Sequence, residues 1–168
     1  GTNNNTAVGY LAMSGNLSGA DDCVAMGHGA LLGAVTSAAA GTVAIGKSAL
    51  GTLSSGAGNT AIGYQAADTV GTGASNTVVG YNVLSNADTA ATGNTILGHQ
   101  AMINASSATT ADNIAIGRAA LTGGTGDLTG NIAIGKAALD NTVGNNQTGT
   151  IAIGHDALTA LTSGAKNT

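Results

Sequence analysis

The segment Asn131-Ile132-Ala133-Ile134-Gly135-Lys136-Ala137-Ala138-Leu139 decides the fold, because the chain repeats its pattern nine times in 168 residues. Each copy has a small polar residue, three apolar residues, Gly, one long polar or aromatic residue, a spacer, and then usually Ala and Leu. Successive copies lie 17 to 19 residues apart. This period is too short for paired helices and is typical of one coil of a β-solenoid. The nine marking glycines are Gly9, Gly27, Gly46, Gly63, Gly80, Gly98, Gly117, Gly135 and Gly154.

The repeat predicts an all-β chain, a parallel β-solenoid with one coil per 17 to 19 residues. Nine coils at a spacing of ~4.8 Å give a stack on the order of 43 Å long. We expect one repeat domain over residues 1–168. The chain begins with Gly1-Thr2-Asn3 and ends with Lys166-Asn167-Thr168, which restarts the repeat. We therefore expect it to be an excerpt of a longer fibre.

The composition argues against an ordinary globular core and against several kinds of partner. The chain has no Pro, Trp, Phe or Glu and contains 28 Gly, so an aromatic-rich core cannot form. Its net charge is −4, with only four basic residues. Because phosphate contacts need many cations, we expect no nucleic-acid partner. No apolar run is long enough to cross a bilayer, so we expect no membrane insertion in this segment.

Four residues before each marking Gly, most repeats carry Asn. When identical residues of successive coils stack at the β-strand spacing, side-chain amides hydrogen-bond along the stack. We predict such an Asn ladder and interpret Cys23 as a small buried substitute within it. A lone Cys cannot form a disulfide within the chain. The residues at this position are Asn5, Cys23, Thr42, Asn59, Asn76, Asn94, Asn113, Asn131 and Thr150.

The three residues before each marking Gly are β-branched or apolar, which favours a strand. In a strand the first and third residues share one face and the second lies on the other. Here both faces are apolar, which is typical of strands covered on both sides. We expect the second residue, usually Ala, to need a cover from another subunit, and Ile116 and Ile134 to lie in the core. The second residues are Ala7, Ala25, Ala44, Ala61, Val78, Ile96, Ala115, Ala133 and Ala152.

The later apolar pair of each repeat, such as Ala138-Leu139, is expected to pack inward as a second short strand or a turn. Gly lets the backbone bend between the two segments. Each coil then closes through about eight small or polar residues, as in the linker 53–58. Because these linkers absorb the variation in length, we predict that they lie outside the core.

The residue directly after each marking Gly is long and either aromatic or basic, and we call these nine residues the stripe. One interpretation is that their stems cover the next coil while their polar tips stay in water. The other is that rings and cations contact a glycan or cell-surface polymer by stacking and hydrogen bonding. We treat all nine as surface-binding candidates: Tyr10, His28, Lys47, Tyr64, Tyr81, His99, Arg118, Lys136 and His155.

No catalytic or metal-binding pattern is present in the sequence, so we expect neither an enzyme nor a cofactor or metal. Gly46-Lys47-Ser48 resembles the end of a phosphate-binding loop only by accident, because Lys47 belongs to a position that repeats along the chain. His28, His99 and His155 fall in distant repeats. Asp21, Asp22 and Asp127 lack the spacing of a calcium-binding loop.

Asn59-Thr60-Ala61-Ile62-Gly63-Tyr64-Gln65-Ala66 and the 131–139 segment resemble the repeats of bacteriophage tail fibres. They also resemble, less closely, the head repeats of YadA-like trimeric autotransporter adhesins, whose repeat is shorter. The resemblance implies a left-handed parallel β-roll in each chain, three chains around a fibre axis, and a virion or extracellular location that meets a host surface.

Three functions remain open at the level of sequence. The chain is a structural segment of a trimeric fibre that supports host attachment, or an adhesin head that itself binds host glycan, protein or matrix. Ice binding is disfavoured, because the first strand position is Thr in only four repeats, at Thr6, Thr60, Thr77 and Thr95. We expect the fibre segment.

Overall fold

The chain is an all-β parallel solenoid, as the repeat predicts. The computed structural model describes residues 4–15, 18–86, 90–105, 109–123, 126–140, 146–161 and 167. Within these ranges there is no α-helix, and the one helical element is a 3-10 turn at Ser37–Ala39. Of the terminal repeat restart, Lys166 and Thr168 lie outside the described residues.

The main sheet holds one three-residue strand from each repeat, and its nine strands are all parallel within the described part of the chain. Neighbouring strands pair in register, so that Ala115 lies opposite Ala133. Register follows the repeat because every marking Gly sits directly after its strand. The strands are β1 Thr6–Val8, β2 Val24–Met26, β3 Val43–Ile45, β4 Thr60–Ile62, β5 Thr77–Val79, β6 Thr95–Leu97, β8 Ile114–Ile116, β10 Ile132–Ile134 and β12 Ile151–Ile153.

A second, smaller sheet forms from the linkers of the C-terminal repeats. Its strands are β7 Thr110–Ala111, β9 Leu128–Thr129 and β11 Gln147–Thr148. They are two residues long and parallel, and they lie in the order β11, β9, β7. The linkers of these coils are therefore part of the repeating structure.

The second residue of the main-sheet strands points into the solenoid from β2 onward, which corrects the prediction that the Ala position faces outward. From β2 to β12 these residues are at most 2% exposed. The first and third residues face away from the interior, and Ile116 and Ile134, predicted to be core, are only half-buried. The interior also holds the later apolar residue of the repeats from Met13 to Leu139, so the space left opposite the sheet suits a small side chain.

The turn after each strand is built from left-handed backbone. Leu121 and Leu139 both have φ 52°, and they are fully buried, as predicted for the later apolar pair. The preceding Gly allows the coils to stack closely, since a Cβ on Gly117 would collide with the carbonyl oxygen of Gly135. Only glycine fits this corner in successive coils.

Several linker residues are buried, so the prediction that the linkers lie outside the core is wrong for them. Leu53 and Val70 are 0% exposed. In four successive coils the size of the buried linker residue also compensates for the size of the inward strand residue. Coils with large Val78 and Ile96 carry small linker residues, and coils with Ala115 and Ala133 carry long ones. The corresponding buried linker residues are Ala91, Thr110, Leu128 and Gln147. This compensation keeps the interior filled from coil to coil.

The predicted Asn ladder is confirmed. The side-chain oxygen Oδ1 of Asn113 accepts hydrogen bonds from both the backbone N–H (3.0 Å) and the side-chain amide (2.9 Å) of Asn131. The Asn113 amide itself donates to Asn94 Oδ1 at 3.0 Å and to the Leu128 carbonyl at 2.8 Å. The same bonds link Asn59, Asn76 and Asn94. These buried amides are thus satisfied by their own neighbours in the stack.

Cys23 occupies the ladder position of its coil and is fully buried. Its backbone N–H donates to Asn5 Oδ1 at 2.8 Å. Its Sγ lies 3.5 Å from the carbonyl oxygen of Ala39. This environment agrees with its interpretation as a small substitute within the ladder.

Candidate functional site

The stripe runs along one exposed corner of the solenoid. All nine stripe residues are exposed. Backbone hydrogen bonds fix their spacing, because the N–H after each stripe residue donates to the carbonyl of the stripe residue one coil earlier. Ala137 N–H donates to Arg118 at 2.9 Å, and Asp156 N–H donates to Lys136 at 2.9 Å. The stripe is therefore a regular row of side chains, one per coil.

Rings stack on one another in the middle of the stripe. The Tyr64 and Tyr81 ring centroids are 5.0 Å apart with planes 10° apart, and Tyr81 and His99 are 5.2 Å apart at 8°. Both faces of the Tyr81 ring are thus covered by its neighbours. The Lys47 ammonium lies 5.6 Å from the Tyr64 ring centroid, within cation–π range. A ligand approaching this part meets ring edges and polar tips.

At the N-terminal end the stripe is less regular. The Tyr10 and His28 ring centroids are 5.3 Å apart, and their planes are tilted by 34°. Tyr10 is 71% exposed. The rings of this pair are therefore less parallel than those in the middle of the stripe.

The acidic residues of the chain stand at other positions of the repeat than the stripe cations. Among the described residues, the recorded ion pair is His155 Nδ1 with Asp156 Oδ2 at 2.9 Å. Lys47, Arg118 and Lys136 have no carboxylate within ion-pair distance in the described part of the chain. Their charges are available to a ligand.

A second exposed surface is the outward face of the main sheet, formed by the first and third residues of its strands. Neither position carries a charged residue in any repeat. Ile62 is 37% exposed, Leu97 49% and Ile153 66%. The sequence showed that both faces of the strands are apolar, but the prediction put the Ala face outside, which is wrong. A largely apolar, uncharged face of this kind, interrupted at Thr6, Thr60, Thr77 and Thr95, marks an interaction surface.

Gln147 and Asp68 are among the residues with buried side-chain atoms that lack a hydrogen-bond partner within the described part of the chain. Gln147 is fully buried in β11, and neither its Oε1 nor its Nε2 is paired within the described residues. Asp68 is half-buried, and its Oδ1 is likewise unpaired. Burial raises the pKa of the Asp68 carboxyl above its ordinary value of 3.8, although bonds from the backbone N–H groups of Asp68 and Thr69 oppose the shift.

No metal-binding arrangement forms in the part of the chain that the structure describes. His28, His99 and His155 lie on separate coils, and no three His, Cys, Asp or Glu side chains of the described residues gather around one point. A search of the same residues for a helix long and apolar enough to cross a membrane finds none.

The sequence of this chain gives no significant match to a family model, a curated protein or a solved structure.

Proposed function

We propose that this chain is a structural segment of a homotrimeric fibre, carried by a virion or a cell surface, that supports attachment to a host surface. The observation that supports the proposal best is the uncharged apolar outward face of the main sheet. A solenoid standing alone leaves this face in water along its whole length, whereas association covers it.

The periodicity of the outward face favours another copy of the same chain as its cover. Strands β8 and β10 present Ile114, Ile116, Ile132 and Ile134 in register, one coil apart. A partner must present apolar side chains at the same step to interdigitate over many coils. A second copy of the chain does so, and closed symmetric assemblies are the usual outcome of self-association.

The finer features of the proposal come from the resemblance to phage tail-fibre repeats. These are three chains per fibre, a left-handed roll, and an extracellular or virion location. Catalysis has no part in the proposal. With the outward faces turned toward the fibre axis, the stripe stays at an exposed corner, and the rod spaces or carries a receptor-binding tip.

The alternative is that this segment is the head of a bacterial trimeric adhesin and binds glycan or matrix itself. The exposure of the whole stripe favours it. The two functions share the trimer and differ in whether changes in the stripe affect attachment to a host.

Sedimentation of the native chain and of an Ile116→Asp/Ile134→Asp variant tests the association. We expect a trimer for the native chain at micromolar concentration and a folded monomer for the variant, because a carboxylate on the outward face opposes its burial. Ala57→Asp, in an exposed linker, is the matched control and should stay trimeric. A native chain that is monomeric at this concentration would overturn the proposal.

A further inference from the structure

Arg118 and Lys136 occupy successive positions of the stripe, with His99 before them and His155 after them. We call these four residues the cationic segment, after its two charged members Arg118 and Lys136; the imidazole of His155 lies 2.9 Å from the Asp156 carboxylate. Their coils are joined by strand pairing from β6 through β8 and β10 to β12. At ~4.8 Å per coil, the four side chains begin along a line of roughly 14 Å. We propose that the cationic segment binds a linear acidic polysaccharide running parallel to the solenoid axis.

The charge distribution supports an anionic ligand. The chain has a net charge of −4 and only four basic residues, yet three of them lie in the stripe. Two of these, Arg118 and Lys136, are on adjacent coils, and no described carboxylate pairs with either. A guanidinium offers a planar fork of donors that fits a carboxylate or a sulfate, and an adjacent ammonium adds a point charge.

The ring geometry argues against a neutral sugar as the main ligand of this region. A neutral sugar binds best to an open aromatic face. Tyr81 has both faces covered, by Tyr64 at 5.0 Å and His99 at 5.2 Å between centroids. The stack of Tyr64, Tyr81 and His99 therefore adjoins Arg118 on its N-terminal side. The charged tips of Arg118 and Lys136 supply the attraction for the ligand.

The shape of the site favours a polymer over a small anion. Arg118 and Lys136 stand exposed on successive coils of a regular backbone and do not converge in a cavity. A polymer with repeated acidic groups contacts successive coils at once, and each further contact is gained without a new loss of translational freedom. A polysaccharide is favoured over a nucleic acid because two adjacent cations on an acidic chain neutralise too few phosphates for useful affinity.

The inference goes beyond the proposed function and does not depend on the trimer. The test measures binding of the full chain to polygalacturonate, to neutral dextran and to a single-stranded oligothymidine. We expect binding to polygalacturonate alone, weakened by added salt because the contacts are exposed. The Arg118→Gln/Lys136→Gln variant should lose about tenfold or more in affinity, since two charge-assisted hydrogen bonds are removed.

Ala57→Gln is the control, because it introduces the same amide side chain in an exposed linker outside the stripe. Its affinity should remain within about twofold of the native value. Melting temperature and sedimented mass, measured on every variant, separate loss of the site from loss of the fold or of the trimer. Equal binding to dextran, tighter binding to oligothymidine, or unchanged binding by the double variant would each overturn the inference.

Discussion

The inward and outward faces of strand β10 differ in a way that hydrophobicity alone does not explain. Ala133, the small residue, is fully buried, whereas Ile132 and Ile134, the large ones, are half-buried. The interior between the sheet and the opposite wall is already occupied by residues such as Leu139 and Leu128. The volume available inside the solenoid therefore decides which apolar face turns inward. The larger face is then free to contact another chain.

A charge on the inward face should produce the largest effect. Ala133→Asp places a carboxylate among fully buried apolar residues, and a buried, unpaired charge costs at least ~4 kcal/mol. We expect the variant to be unfolded, or to melt far below the native chain, by circular dichroism. Ile134→Asp puts the same charge one residue away on the outward face and should keep the β spectrum. Equal loss of structure in both variants would contradict the difference between the faces.

Removal of one ladder amide should rank second. Asn113→Ala eliminates four buried hydrogen bonds, to Asn94, Leu128 and twice from Asn131. Because these bonds lie inside the solenoid and leave buried groups unpaired, we expect a loss of about 2–4 kcal/mol in denaturant unfolding. Asn104→Ala is the control, since its recorded bond with Asn86 is exposed. Similar losses for the two variants would show that the buried ladder has no special weight.

Replacement of the buried glutamine should have a smaller effect of the opposite sign. Gln147 pairs in register with Leu128 in the second sheet, and Leu fills the same kind of space without polar atoms. We expect Gln147→Leu to raise the free energy of unfolding by about 1–2 kcal/mol, because two buried unpaired groups are removed. Thr148→Val, on the exposed side of the same strand, should change little. A destabilised Gln147→Leu variant would mean that the amide is satisfied in the folded chain.

The smallest effect concerns Asp68, which is neither fully inside nor outside. Its pKa is raised above 3.8 by burial, so the folded protein holds this proton more tightly than the unfolded chain. The contribution of Asp68 to the free energy of unfolding therefore falls as the pH rises from 3.8 through the raised pKa. Above the raised pKa this contribution is constant. Asp68→Asn should remove this contribution. Denaturation at about pH 3 and about pH 7 measures it. A native-to-variant difference that is the same at both pH values would contradict the prediction.

Much of the fold could be predicted from the repeat, because identical residues in successive coils must occupy equivalent environments. The strands, the Asn ladder and the inward-packed Leu residues follow from this rule. The burial of linker residues such as Leu53 and Leu128 was not predicted, since their positions shift with linker length. Exposure of the stripe agrees with its chemical variety, which a close-packed core does not tolerate. The covering of both Tyr81 ring faces depends on side-chain orientations that the spacing alone does not give.

The coil period, the parallel register and the stack of polar amides follow from the sequence alone, because each depends on what repeats from one coil to the next. Which side of each strand lies inside follows only from the packed coil. A three-residue strand with apolar residues on both sides carries no local signal for its orientation. That choice depends on the interior volume left by the other segments of the coil. Leu128, five residues before Ala133, and Leu139, six residues after it, reach the same interior only once the coil has closed.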